Sequence, residues 1–278
     1  MNEIEISRLG LNLGLRLNDY FYFSKFPSGE IKVEFDRNRL KKEFHREFYW
    51  EISKINSDEL IKMYLVSQEL HNFFLPVVLP CNLFVPYLPY SRQDRETAGS
   101  EDNRICINTL KYFSRLINNI GFKSVYTLDA HSDKSREYIE DLVSVNGYDI
   151  LPHDMKDYSV LIIPDKGAYA RFHESRFYNP DGFSDFFIVD ANKKRCEKTG
   201  AIQIEIANPG YLINCTSPIL VVDDICDGGA TFLLLAKELR KHTQAKLHLH
   251  VTHGIFSKGK EELQKYYDKI TYINEVTQ

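Results

Sequence analysis

Long apolar runs are missing from this chain. No stretch approaches the roughly 20 residues that a membrane-spanning helix needs, and residues 1–10 alternate charge with aliphatics where a signal peptide would carry its apolar core. Both absences lead to the expectation of a soluble, cytoplasmic protein with no membrane partner. A C-x-x-C pair is also missing. The cysteines, Cys81, Cys106, Cys196, Cys215 and Cys226, are odd in number, so reduced thiols are expected and neither a disulfide framework nor a zinc site. Neither sign of charge is in large excess. The 35 Lys and Arg stand against 39 Asp and Glu, a net charge of −4, so no bulk attraction to nucleic acid follows. Low-complexity linkers and strict repeats are absent as well. What remains is 278 residues, 43% hydrophobic and 13% aromatic, enough for one large or two medium α/β domains with packed cores.

Strand and helix signals alternate. Short branched apolar runs mark strands at residues 31–35, 81–86, 125–128, 160–163, 186–189, 202–206, 219–222 and 247–251. Ser57 followed by Asp58 and Glu59 opens a helix to about Asn72. Ile105, Leu110, Phe113, Leu116 and Ile117 have helical spacing within residues 101–119, and further helices are expected at residues 135–143 and 229–242. The charged run at residues 36–47 reads as an exposed helix or a hairpin. The alternation predicts an α/β fold of mostly parallel sheets flanked by helices. An acidic strand end occurs twice, as Thr127-Leu128-Asp129-Ala130-His131 and as Val222-Asp223-Asp224, which suggests two similar halves. The expected division is residues 1–138 and 139–278.

The most informative string is Val221-Val222-Asp223-Asp224-Ile225-Cys226-Asp227-Gly228-Gly229-Ala230-Thr231. It reads as strand end, acidic loop and helix start. Glycines let successive N–H groups converge, and a helix N-terminus adds positive partial charge, so the loop suits a phosphate. Asp223 and Asp224 stand where ribose hydroxyls would lie. The plainer reading is a strand-to-helix turn with acids as caps; the ordered string with apolar residues on both sides favours phosphate and sugar. His248 and His250 alternate on one strand and read as structural.

A second loop, Pro86-Tyr87-Leu88-Pro89-Tyr90-Ser91-Arg92-Gln93-Asp94-Arg95, follows a strand, and an Arg-Gln pair there can hold a purine and an anionic tail. With this block the chain resembles the ribose-phosphate pyrophosphokinases, also called phosphoribosyl-pyrophosphate synthetases. Further blocks occur in that family's order. Phe26-Pro27-Ser28-Gly29-Glu30 resembles F-S-D-G-E, and Asp129-Ala130-His131 resembles D-L-H. Ile163-Pro164-Asp165-Lys166-Gly167 resembles S-P-D-x-G, and Asp190-Ala191-Asn192-Lys193-Lys194-Arg195 resembles the mobile K-R-R loop. Thr252-His253-Gly254-Ile255-Phe256-Ser257 resembles T-H-x-x-F-S. The Asp129–Asp133 and Lys198-Thr199-Gly200 variants, together with Asp224-Ile225-Cys226-Asp227-Gly228-Gly229, resemble a short branch found in phages and some bacteria and associated with nicotinamide and NAD metabolism.

The resemblance implies two phosphoribosyltransferase-like domains and a dimer-based homo-oligomer. It implies Mg²⁺-dependent transfer of pyrophosphate from ATP to the C1 hydroxyl of ribose 5-phosphate, with release of AMP. It carries over ATP-binding roles to Phe26, Glu30, Arg92, Gln93 and Asp94, with Phe26 and Glu30 reaching a neighbouring subunit. Lys193, Arg195 and His131 become candidate catalytic groups. His131 and Asp165 become candidate direct or water-mediated Mg²⁺ ligands. Asp223, Asp224, Asp227, Gly228, Gly229, Ala230 and Thr231 become the ribose-phosphate loop. Departures exist. Gly228 stands where synthetases carry threonine, Ala230 where they carry glycine, and Ser28 where they carry aspartate; the Q-I-Q-G-F-F tract and the usual C-terminal helix are missing. Gly228 removes a hydroxyl from the 5-phosphate site and is expected to open space there. A 5-substituted ribose such as ADP-ribose therefore stands as an alternative acceptor, and a phosphoribosyltransferase or a non-catalytic regulatory paralogue as other classes.

Overall fold

The computed structural model describes residues 11–43, 45–52, 56–74, 81–99, 104–151, 155–178, 186–195 and 202–276. Residues 1–10, Cys196, Lys198-Thr199-Gly200 and the start of the helix expected from Glu101 lie outside them. The chain divides into two compact units, Met1–Val145 and Asn146–Val276.

The first unit contains, in chain order, β1 (Leu15–Arg16), β2 (Phe21–Lys25), β3 (Ile31–Phe35), α1 (Arg37–Lys42), β4 (Phe48–Glu51), α2 (Ser57–Phe74) and β5 (Cys81–Phe84). There follow β6 (Thr97–Ala98), β7 (Ile105–Cys106), α3 (Thr109–Ile120), β8 (Val125–Leu128), α4 (Lys134–Tyr138) and β9 (Leu142–Val145). Its main sheet has the order β1-β4-β5-β8-β9 and every neighbouring pair is parallel. Spatial order follows chain order, and right-handed crossovers then put successive helices on one face. Met63, Val66 and Leu70 of α2 and Leu110, Phe113, Ile117 and Ile120 of α3 accordingly share one core with Phe48, Trp50, Cys81 and Leu83. Tyr49, Glu51, Asn82 and Phe84 alternate to the opposite face and are buried too. The β2–β3 hairpin is a separate two-stranded antiparallel pair that packs on the same core, the Phe21 and Phe23 rings meeting Trp50 edge to face.

The second unit contains β10 (Val160–Ile163), α5 (Lys166–His173), β11 (Phe187–Arg195), β12 (Ile202–Ile206), β13 (Ile219–Cys226), α6 (Ala230–Leu239), β14 (Leu247–Gly254), α7 (Glu261–Gln264) and β15 (Lys269–Glu275). Sheet order is β12-β11-β10-β13-β14-β15, parallel except for the antiparallel β11–β12 arm. Here the order reverses. β11 lies on one side of β10 and β13 on the other, so the sheet must be covered on both faces. Phe232, Leu235, Ala236 and Leu239 of α6 pack on Val160, Ile162, Ile219 and Val221. Ala168 and Phe172 of α5 pack on Leu161, Ile163, Leu220 and Val222.

Several boundaries differ from the sequence reading. The helix expected over residues 101–119 begins at Thr109, because the Asn108 side chain accepts from Lys111 N–H as an N-cap, and Ile105–Cys106 instead pairs with Thr97–Ala98. The helix expected over residues 135–143 ends at Tyr138, and Leu142–Val145 is a strand beside β8. The turn between them contains Asp141 at φ 51. β13 runs through Asp223 and Asp224 to Cys226, so the acidic pair belongs to the strand and only Asp227-Gly228-Gly229 forms the loop. The run at residues 36–47 supplies a short helix, α1, capped by Asp36. No helix of the described residues is long and apolar enough to cross a membrane.

Candidate active site

In open α/β sheets, ligands gather at the carboxyl ends of the strands, where strand order reverses. In the second unit that point lies between β10 and β13. β10 ends at Ile163, and the chain continues through Pro164 to Asp165. Asp165 caps α5, its Oδ1 accepting from the N–H groups of Gly167 and Ala168 at 3.0 Å each. One turn and a half later Arg171 reaches back to β13. Its Nη2 donates to Asp223 Oδ1 at 2.7 Å and lies 3.1 Å from Asp224 Oδ1. Asp224 is 3% exposed, so the pair is a buried ionic cluster. Burial pushes the Asp223 carboxyl well above the usual carboxylate range and neighbouring Asp224 adds to this, while Arg171 pulls it back.

Beyond the acidic pair, the chain turns through Asp227, Gly228 and Gly229 into α6. Gly229 sits at φ 74, a left-handed backbone that favours glycine, and a Cβ there would lie 3.2 Å from a Leu263 methyl, which would have to shift by a few tenths of an ångström. The neighbouring loop after β14 is tied to this one. Ile255 N–H and Phe256 N–H both donate to Cys226 O, at 2.9 and 3.1 Å, and Ser257 Oγ donates to Asp227 Oδ1 at 2.7 Å. A Cβ at Gly228 would meet Lys258 Cδ at 3.5 Å and Ser257 Oγ at 3.7 Å. The open space expected at Gly228 is therefore already bordered by Lys258.

Lys193 and Arg195 occupy β11, opposite Ile204 and Ile202 of β12, where a loop was expected. The last residue of β10, Ile163, pairs with Asp190, so this arm continues past the carboxyl edge of the sheet. Its strand pairing corrects the placement.

In the first unit two of the sequence blocks meet at the carboxyl ends of β5 and β8. Pro86 O accepts from Leu128 N–H at 3.0 Å and from Thr127 Oγ1 at 3.2 Å. Gln93 N–H closes a turn on Tyr90 O at 2.8 Å, and Leu110 N–H donates to Gln93 O, anchoring the loop on α3. Asp94 accepts from Ser132 Oγ at 2.7 Å and from Arg95 Nε at 3.2 Å. Burial alone would raise its carboxyl, but these two donors outweigh burial and hold it below the usual range. Arg92 and Gln93 are exposed, and so is His131, one residue before Ser132. Phe26 and Glu30 close the tip of the β2–β3 hairpin, with Phe26 N–H donating to Glu30 O at 2.9 Å and the Phe26 ring half exposed. Ser28 Oγ donates to the Glu30 carboxylate.

No family model matches the chain. It is similar to ribose-phosphate pyrophosphokinases. The enzyme so named from Marinomonas sp. is 25% identical over 262 residues, covering 91% of this chain and 75% of the relative. The one from Mycoplasma genitalium is 27% identical over 243 residues, covering 85% and 68%. Among solved structures, the phosphoribosylpyrophosphate synthetase of Mycobacterium smegmatis matches with a TM-score of 0.65 at 16% identity, covering 95% of this chain and 80% of that one. That structural likeness is one of fold: mostly parallel sheets flanked by helices.

The sequence reading missed three groups. Arg171 follows Asp165 on one helix, and the signal available was the need of two adjacent buried acids for a cation. Ser132 and Lys258 carried no signal beyond their adjacency to His131 and Ser257. His248 and His250 are structural as read: His248 Nδ1 lies 2.8 Å from the Tyr158 hydroxyl, and His250 Nδ1 lies 2.9 Å from Thr271 Oγ1. For a divalent cation the carboxylates at the β10 and β13 ends are oxygen donors of the right hardness. No group of three or more His, Cys, Asp or Glu among the described residues is arranged to hold a metal by itself. That donor set fits Mg²⁺ carried by substrate phosphates and water, which needs only one or two protein carboxylates.

Proposed function

We propose that the protein is a ribose-phosphate pyrophosphokinase, transferring the β,γ-pyrophosphate of ATP to the C1 hydroxyl of a 5-phosphorylated ribose. The carrying observation is the junction of β10 and β13, where Arg171, Asp223 and Asp224 form one cluster beside the Asp227–Gly228–Gly229 turn into α6. The similarity to the Marinomonas and Mycoplasma enzymes supports the same reading. The acids accept from the ribose hydroxyls, and the N–H groups at the start of α6 cradle the 5-phosphate. The C1 hydroxyl oxygen bonds to the β-phosphorus, the bond from that phosphorus to the oxygen shared with the α-phosphate breaks, AMP leaves, and the hydroxyl proton passes to water.

Such a transfer depends on in-line positioning and charge neutralisation. Lys193 and Arg195, on the arm past the sheet edge, are the proposed clamps on the transferring group. Arg92, Gln93 and Asp94 hold the nucleotide, and Phe26 and Glu30 contribute from a neighbouring subunit in a dimer-based assembly. Mg²⁺ bound with the triphosphate would supply charge neutralisation, and Asp165 at the end of β10 would be its candidate ligand, directly or through water. A larger acceptor such as ADP-ribose, serving NAD regeneration, is the second reading, and Gly228 favours it because the glycine leaves no hydroxyl at that corner. Incubating the protein with ATP, Mg²⁺ and either sugar tests both readings through AMP release and product mass. AMP with a pyrophosphorylated sugar supports the function, the productive sugar names the acceptor, and absence of AMP with both would refute it.

A further inference from the structure

The atoms nearest the position that a Cβ at Gly228 would take belong to Lys258 and Ser257. Lys258 Cδ and Cε come to 3.5 and 3.6 Å of that point, ordinary van der Waals contact, and the ammonium lies one bond beyond. The stem of Lys258 thus lines the corner that the missing side chain vacates. Its loop is closely fixed. Gly259 N–H donates to Phe256 O at 2.8 Å, and Ser257 binds Asp227. Lys260 Nζ lies 4.9 Å from the Phe256 ring centre and 4.7 Å from that of Tyr272, locking the far end of the loop. The Phe256 ring itself occupies the space that a side chain at Gly254 would need. The backbone of this loop is thus held in place, and the exposed Lys258 side chain stands at the rim of the phosphate turn.

We propose that Lys258 is a specificity-determining residue that recognises the anionic group on C5 of the acceptor sugar across the Gly228 corner. This inference rests on the acceptor site described under the proposed function. A hydroxyl at position 228 would give one neutral hydrogen bond to a single phosphate. Glycine plus lysine gives a charge-assisted contact instead, which reaches farther from the backbone and accepts either one phosphate or two. The shared ligand chemistry is a 5-linked phosphate ester, and the two sources are a monophosphate and a nucleoside diphosphate.

The test compares Lys258→Met, which keeps the stem and removes the charge, with Lys258→Arg, which retains a cation. Affinity for ribose 5-phosphate and for ADP-ribose is measured calorimetrically without ATP, and AMP release is measured separately. Lys258→Met is expected to weaken binding of the acceptor by on the order of tenfold and raise its KM without changing the KM for ATP, and Lys258→Arg is expected to recover most of the loss. A larger loss with ribose 5-phosphate places the contact at the first phosphate; a larger loss with ADP-ribose places it at the second. Unchanged affinity for both sugars in Lys258→Met would overturn the inference. If the unaltered protein binds a sugar yet releases no AMP, the proposed reaction fails while the binding comparison still decides Lys258. If it binds neither sugar and releases no AMP, both fail; if it releases AMP, the KM comparison decides Lys258.

Discussion

Asp223 is pulled in two directions. Burial and the adjacent Asp224 favour the neutral acid, and Arg171 at 2.7 Å favours the carboxylate. Removing the cation leaves only the first influence, so Arg171→Met raises this carboxyl further. The acid limb of kcat/KM is then expected to move to higher pH, because the protonated pair accepts poorly from sugar hydroxyls. A pH–rate profile checks this, and an unmoved limb would contradict it. Stability has its own sign. A carboxyl raised in the folded state holds its proton more tightly there than in the unfolded chain, so it favours folding below the unfolded value of about 3.9. That advantage is lost as pH rises through the folded value. In Arg171→Met the loss grows, and urea midpoints above neutral pH should fall relative to the parent protein.

At the scale of elements, the turn into α6 depends on Gly229. Alanine there faces a left-handed backbone and a Leu263 methyl at 3.2 Å, so Gly229→Ala should cost roughly 1–2 kcal/mol or more. Urea unfolding measures it, and an unchanged midpoint would mean that the turn relaxes freely. On the β11–β12 arm, Lys193→Ala is expected to reduce turnover by on the order of a hundredfold with the fold intact. Near-normal turnover of a folded variant would remove that residue from the chemistry. The strands around these positions were legible in the sequence because their branched apolar runs are short and bounded, as in residues 160–163 and 202–206. Strand ends were not. β13 continues through two aspartates because β14 pairs with it as far as Cys226 and Arg171 contacts both acids, neither of which a local pattern can display. The candidate site divides the same way. Asp223, Asp224 and Gly229 stand in one ordered string, whereas Arg171 meets Asp223 across 52 residues, Ser132 meets Asp94 across 38 and Ser257 meets Asp227 across 30.

At the scale of the whole molecule, the account assigns the hairpin tip carrying Phe26 and Glu30 to an ATP site on a neighbouring copy, and Arg92 to the ATP site of its own chain. Glu30→Ala and Arg92→Ala are each expected to be nearly inactive alone. Mixed under conditions that exchange subunits, they should recover part of the activity, since some mixed pairs hold one intact site. Full activity of a strictly monomeric protein, established by sedimentation at assay concentration, would contradict the shared site. The central claim is that two phosphoryl groups move together. Turnover of ATP labelled at the β-phosphorus, with Mg²⁺ and the productive sugar, tests it most directly. The account predicts that the label leaves entirely with the sugar and that AMP carries none. Label retained in an ADP product, or no label on the sugar, would contradict it.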